Sequence, residues 1–292
     1  MSFAASSLSS QWIKVSEPIP HVLHVQLSRN PVNAFSVRYW RAYGELFQRI
    51  MEEAPDVRAV VLSSALDKFF TAGLDLKDAE GIARPKDPKD DDTDGARKAL
   101  GAIPFIKEFQ SAINIVERAP FPVIAAIHGI ALGLAMDMTS CCDVRYAAED
   151  ASFSIKEVDI GIAADIGSLS YVPKVVGNIS LAREYAYTGQ RFSARDAEKM
   201  GYVSRVVPGS RDEVVSAALQ LAKAIAEKSP LAVAGTKKLI THGRDHTVEQ
   251  SLDYTAVWNS AMLQTRDTGE AVAATLNKRT PNFRSVKVPS RL

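Results

Sequence analysis

Three carboxylates stand where acids are costly to keep. Asp137 falls in a stretch dominated by apolar and small residues, and Glu157 and Asp165 fall in a loop rich in Gly, Ala and acid. Burying a carboxylate disfavours its charged form unless it has a task or a partner, and acids held in that condition are what proton transfer uses. Taken singly, each also fits a surface or capped carboxylate. A second candidate lies in Lys68-Phe69-Phe70-Thr71-Ala72-Gly73-Leu74-Asp75-Leu76-Lys77. Gly73 follows aromatics and precedes an expected helix start, a turn that leaves the next backbone N–H groups free to bind an oxyanion. Ala-Gly before a helix is common, so this motif is weak alone. Asp75 is expected to cap that helix.

Other reactive residue types invite blander readings. His128, at the end of an apolar run before Gly129, reads as a satisfied core histidine. Cys141 and Cys142 are the only cysteines and read as small core residues. Adjacent cysteines rarely bond to each other, which fits a reducing compartment. There is no CxxC or HExxH, the five histidines are scattered, and no metal site is expected. Asp90, Asp91, Asp92 and Asp94 lack any spacing that would fix ligand geometry, so residues 81–97 read as a mobile surface loop.

The elements that must position the acids centre on residues 121–173. The apolar run 123–127 predicts a buried strand. Residues 131–142 then carry helical spacing and include Asp137. A strand-like run at 144–147 and a β-prone piece at 152–155 lead into the loop with Glu157 and Asp165. Upstream, alternation within 12–28 is a strand signal. Residues 39–53 form an amphipathic helix with Trp40, Tyr43, Leu46, Phe47 and Ile50 on one face. A buried strand at 57–63 follows, and a helix is expected at 103–118. The order strand, helix, strand implies a repeated crossover architecture of the α/β class.

Further helices are expected at 175–188 and at 193–200 with Ser193 as N-cap. A short strand lies within 201–207, and helices follow at 212–228, 232–242, 248–263 and 268–277. This divides the chain into a β/α core over 1–211 and a helical region over 212–292, read as an appendage. No repeat is visible in residue identities.

The 292 residues suffice for one large domain, or one domain and an appendage. A net charge of +1 gives no support for nucleic-acid or membrane-surface binding. No apolar run is long enough to span a bilayer, and the Ser/Ala-rich start lacks the Arg of a presequence. The last residues, Ser290-Arg291-Leu292, are a close variant of the Ser-Lys-Leu peroxisomal address. A peroxisomal location, with its import receptor as partner, is therefore expected, and a mitochondrial one is the alternative.

Several segments together resemble the crotonase (enoyl-CoA hydratase/isomerase) superfamily over nearly the whole chain. They are Asn33-Ala34-Phe35, Phe70 through Leu76, the stretch 122–143, the stretch 153–161, Gly201-Tyr202-Val203 and Asn277 through Phe283. Within it, Lys156-Glu157-Val158-Asp159-Ile160-Gly161 followed by Ala163-Ala164-Asp165-Ile166-Gly167 is most similar to the Δ3,5-Δ2,4-dienoyl-CoA isomerases. Hydratases carry a small residue where Asp165 stands. The resemblance implies a spiral of ββα units and a helical C-terminal region that makes homotrimers, often paired into hexamers. The implied substrate is a fatty acyl-CoA thioester, with no further cofactor.

The resemblance also implies residue roles. The backbone N–H groups of Leu74 and Leu134 form the oxyanion hole. Ala72, Gly73, Leu74, Asp75, Leu76 and Leu134 contact substrate. Relatives often have three glycines where this chain has Gly133-Leu134-Ala135, so the Leu134 side chain must point away from the thioester. Moving two double bonds toward the carbonyl takes a proton off C2 and puts one on C6, which suits two carboxylates in opposite protonation states. Asp165 is assigned as base, Glu157 as acid, and Asp137 as the neighbour that keeps Glu157 protonated. Asp159 is read as structural. Lys278 is a candidate contact for a CoA phosphate, in a neighbouring subunit, or a solvated lysine. The competing expectations are an enoyl-CoA hydratase using Glu157 and Asp137, a Δ3-Δ2-enoyl-CoA isomerase, and a non-catalytic binding protein of the same fold.

Overall fold

The computed structural model describes residues 4–77 and 94–286. Asp90, Asp91 and Asp92, most of the 81–97 segment and the Ser290-Arg291-Leu292 tripeptide lie outside the described residues.

The alternating segment near the start is a hairpin. Strands β1 (Ile13–Ile19) and β2 (Val22–Leu27) pair antiparallel. Helix α1 (Val37–Glu53) begins at Ser36, whose side chain accepts from the Tyr39 N–H, and it buries Tyr39, Trp40, Tyr43, Phe47 and Ile50. Parallel to β2 run β3 (Ala59–Ser64), β5 (Val123–Ile127), β7 (Val144–Ala148) and β10 (Arg205–Val207), giving the order β1-β2-β3-β5-β7-β10. A smaller sheet has β4 (Phe69–Thr71), β6 (Ile130–Leu132), β8 (Ser152–Ser154) and β9 (Phe192–Ser193) in that order, with β9 antiparallel to β8 and the others parallel.

The chain alternates between the sheets. It passes from β3 to β4, from β5 to β6 and from β7 to β8, returning to the large sheet through helices each time. This ββα spiral is a repeat of topology. Residue identities do not repeat because register and burial are what recur.

The central strands β3 and β5 of the large sheet are covered on both faces, which is why they read as unbroken apolar runs. On one face Val60, Leu62, Val123 and Ala125 join the main core with α1. On the other, Ala59, Val61, Ile124 and Ala126 pack against α8 (Arg211–Ala226), which offers Val214, Ala218, Ala222 and Ala226 at intervals of four. Small residues at that spacing let a helix lie close to a sheet. The division at residue 211 thus marks the change from strands to helices and not the edge of the core. Beyond it, α9 (Pro230–Arg244) packs on α10 (Val248–Met262), followed by α11 (Asp267–Leu276).

Three expectations are corrected. Residues 131–142 are not one helix: β6 takes the start, and helix α4 spans Leu134–Ser140. The helix expected from residue 103 begins earlier, as α2 (Gly95–Ile113), with Asp94 accepting from the Arg97 N–H, so the end of the supposed loop is a helix start. A short α3 (Ile115–Arg118) follows. The helix expected at 175–188 is α6 (Ile179–Thr188), started where Asn178 caps the Leu181 N–H, and an unexpected α5 (Ser168–Val175) precedes it. Helix α7 (Ala194–Met200) has the Ser193 cap as expected, completed by Asp196 into a capping box.

Candidate active site

The site is built at the ends of three adjacent strands of the small sheet. Leu74 follows β4, Leu134 follows β6, and Glu157 follows β8. Neighbouring strands lie about 4.8 Å apart, so equivalent positions beyond their ends face one space. Glu157 opens a 3-10 turn, Glu157–Ile160, closed by Gly161.

Backbone lines one wall. Residues Phe35 and Leu74 form a single parallel bridge, in which Phe35 N–H donates to the Gly73 carbonyl (2.8 Å) and Asp75 N–H to the Phe35 carbonyl (3.0 Å). The Leu74 N–H is left pointing the other way. Leu134 is the first residue of α4, where an N–H has no partner within its helix. Gly73 joins the two: a methyl there would sit 2.9 Å from the Leu132 carbonyl oxygen and 3.5 Å from the Leu134 nitrogen, and its φ of +92° favours glycine. The Leu134 side chain is buried in the main core, so it points away from the free N–H. Two N–H donors at the ends of neighbouring strands are what an oxyanion hole would need.

Carboxylates line the other wall. Asp137 is 1% exposed, and its Oδ1 accepts from the Ser168 N–H (2.6 Å) and the Ser168 hydroxyl (2.8 Å). Burial pushes Asp137 up to about 6, against those donors and with the charge of Asp165 adding. Glu157 is pushed up to about 7, first by burial and then by the charge of Asp137, with Asp165 contributing. Its Oε2 is buried without a hydrogen-bond partner. Gly133 makes room for it, since a methyl there would lie 3.1 Å from Glu157 Oε1. Asp165 is exposed, and its carbonyl accepts from the Gln110 side chain (2.6 Å). The structure therefore brings Asp137, Glu157 and Asp165 into one electrostatic cluster. Among the described residues no Lys or Arg forms an ion pair with any of them.

The remaining candidates divide. Ala72 is held by its N–H to the Val32 carbonyl (3.0 Å) at the mouth of the turn, and Leu76 is exposed. Asp75 is engaged structurally: it pairs with Arg29 (2.9 Å) and accepts from the Lys77 N–H (3.2 Å), the capping role expected of it. Asp159 pairs with Lys156, away from the acids. His128 is buried, with Nε2 against the Leu66 carbonyl. Lys278 is exposed just beyond α11, and no interaction joins it to the site. Sequence reasoning missed Ser168 and Gln110. Ser168 follows Gly167 at the start of α5, and only the Gly-Ser step hinted at a close approach. No group of three His, Cys, Asp or Glu among the described residues is placed to hold a metal ion.

Residues 20–286 match the enoyl-CoA hydratase/isomerase family, and the chain belongs to it. A crystal structure of enoyl-CoA hydratase from Bacillus anthracis shares the fold, with a TM-score of 0.81 and 31% identity, covering 94% of this chain and 99% of that one. The Homo sapiens mitochondrial Δ(3,5)-Δ(2,4)-dienoyl-CoA isomerase is 46% identical over 91% of this chain and 80% of that protein. The peroxisomal enzyme of the same name from Arabidopsis thaliana is 41% identical over 90% of this chain and 92% of its own length.

Proposed function

We propose that the chain is a Δ3,5-Δ2,4-dienoyl-CoA isomerase of unsaturated fatty acid β-oxidation. What supports this reading is the placing of Leu74, Leu134 and Glu157 beyond the ends of three adjacent strands, with Gly133 against Glu157, and with Asp137 and Glu157 held above the usual carboxylate range. The thioester carbonyl sits on the two donors. Asp165 takes a proton from C2, and the electron pair delocalises through the diene to the carbonyl oxygen as a dienolate. Glu157 delivers its proton to C6, the double bonds settle at C2 and C4, and the charge leaves the oxygen. The cycle ends with Asp165 protonated and Glu157 ionised. Exposure lets Asp165 return its proton to water, and the raised affinity of Glu157 lets it recover one near neutral pH. No cofactor is required, since CoA is part of the substrate.

Exposed apolar residues on α9, α10 and α11, among them Ile240, Val257 and Leu276, support assembly into a homotrimer or homohexamer. The terminal Ser290-Arg291-Leu292 supports a peroxisomal address, as does the Arabidopsis relative, whereas the Homo sapiens relative is mitochondrial. Deleting the tripeptide should leave activity intact and move the protein out of peroxisomes. The decisive test is ultraviolet absorbance of 3,5-dienoyl-CoA mixed with purified protein, because the conjugated 2,4-product absorbs differently. Hydration of crotonyl-CoA with no dienoyl isomerisation would replace this reading with the hydratase one.

A further inference from the structure

Three acids share one space without a cation among the described residues, and burial together with mutual repulsion favours keeping one proton among them. What decides which acid holds it is the supply of hydrogen-bond donors, and that supply is lopsided. Two donors from one residue, the Ser168 N–H and hydroxyl, converge on Oδ1 of Asp137 at 2.6 and 2.8 Å, and the Gly167 N–H is directed at the same carboxylate. Glu157 receives only backbone N–H groups, its own and that of Lys156, and its Oε2 has no donor. Ser168 is itself fully buried, at the first turn of α5, so its hydroxyl has no water to prefer. We infer that Ser168 is a positioning residue: by holding Asp137 as the ionised member of the cluster, it places the site's proton on Glu157.

The groups facing Asp137 are few. Glu157 approaches from the 3-10 turn and Asp165 from the loop before α5. Cys141 on α4 donates to the Asp137 carbonyl and to Asn114. Tyr171 on α5 donates to Glu117 (2.9 Å), which Arg244 neutralises. None of these supplies a second donor to the carboxylate, so Ser168 alone supplies a side-chain hydroxyl to it. Hydrogen bonds to the charged form favour that form. Without the hydroxyl, the alternative arrangement gains ground, with the proton on Asp137 and Glu157 ionised. That arrangement has no acid to serve C6.

The catalytic consequence rests on the isomerase reading; the location of the proton does not. The first experiment uses the full-length protein with 13C-labelled carboxyl groups at about pH 6.5, where a coupled pair holds one proton between two sites. Infrared spectra assigned with Asp137→Asn and Glu157→Gln should show Asp137 ionised and Glu157 as the neutral acid. The reverse pattern overturns the inference, whether or not Ser168 variants fold. The second experiment is the pH profile of kcat with 3,5-dienoyl-CoA. Ser168→Ala should move the acid limb up by about one pH unit, the scale of one hydrogen bond to a charge. KM should stay in place, because in this reading the thioester is held by the backbone donors and not by Asp137. Ser168→Thr, which keeps the hydroxyl, should restore the profile. A loss of kcat equal at all pH values would show Ser168 to be merely structural and overturn the proposal. A wild-type protein that does not isomerise dienes would refute the isomerase reading while the labelled carboxyls still report where the proton lies.

Discussion

The two walls of the site are made of different materials. One is backbone, the N–H groups after β4 and β6. The other is side chains, the acids after β8 and on α4 and its neighbouring loop. The first is indifferent to side-chain identity so long as the chain can turn, so a leucine can stand at position 134 with its side chain in the core and its N–H still at the helix start. The second depends on protonation, and it is assembled from residues whose charges oppose one another. A backbone wall fails by steric obstruction, and a carboxylate wall fails by pH.

The largest expected effects come from the side-chain wall. Glu157→Gln and Asp165→Asn should each lower kcat on the order of 10²–10⁴-fold, the scale of general acid–base catalysis. They should differ in partial reaction. Glu157→Gln should still exchange the C2 proton with deuterated solvent, since Asp165 and the oxyanion donors remain, and Asp165→Asn should not. Equal loss of exchange in both would show that the roles are reversed or that one acid makes both transfers.

On the backbone wall, Gly73→Ala puts a methyl 2.9 Å from the Leu132 carbonyl at a φ of +92°. It should cost about 10²–10³-fold in kcat by disturbing the donors. Circular dichroism should show the fold retained, and the pH profile of the residual activity should keep its shape. A shifted profile would mean that the two walls are not independent. Leu134→Ala sharpens the same point. Its side chain lies in the core and its N–H survives, so kcat should fall less than about tenfold, while urea unfolding should report a loss of about 2–5 kcal/mol.

The smallest effect is a gain. Burial and then the charge of Asp137 push Glu157 in the fold up to about 7 from an ordinary 4.5, so folding favours its neutral form. A raised carboxyl contributes stability in full below its unfolded value and loses it as pH rises through the folded one. Wild type should therefore lose stability between pH values near 4.5 and 7 from this group. Glu157→Gln should be more stable than wild type at alkaline pH by on the order of 1–3 kcal/mol, with little difference in acid. A variant less stable at every pH would indicate that the carboxyl is held by bonds that glutamine cannot make.

Sequence alone disclosed the buried strands and the acids for a simple reason. Apolar runs such as 123–127 are buried on both faces, and each acid breaks a local rule of composition. It did not disclose the start of α4, because Ile130–Leu132 is too short an apolar run to tell strand from helix until pairing with β8 decides. The free N–H of Leu74 depends on a bridge to Phe35, thirty-nine positions away in sequence, and no local pattern encodes such a partner. The Ser168 bonds to Asp137 span 31 residues and were invisible for the same reason. The resemblance supplied the roles that spacing could not.

The order of the spiral has a consequence for synthesis. Each turn of ββα lies against the turn made just before it, from β3 to β5 to β7, so the sheet can extend as the chain leaves the ribosome. Its back face is not closed in that order. Val22, Ala59, Val61, Ile124 and Ala126 wait for a helix that begins at Arg211. The nascent chain therefore carries a bare apolar sheet from the time β5 is made until about a hundred residues later. A message truncated before α8 should therefore yield a product that aggregates although its strand-end site is fully encoded.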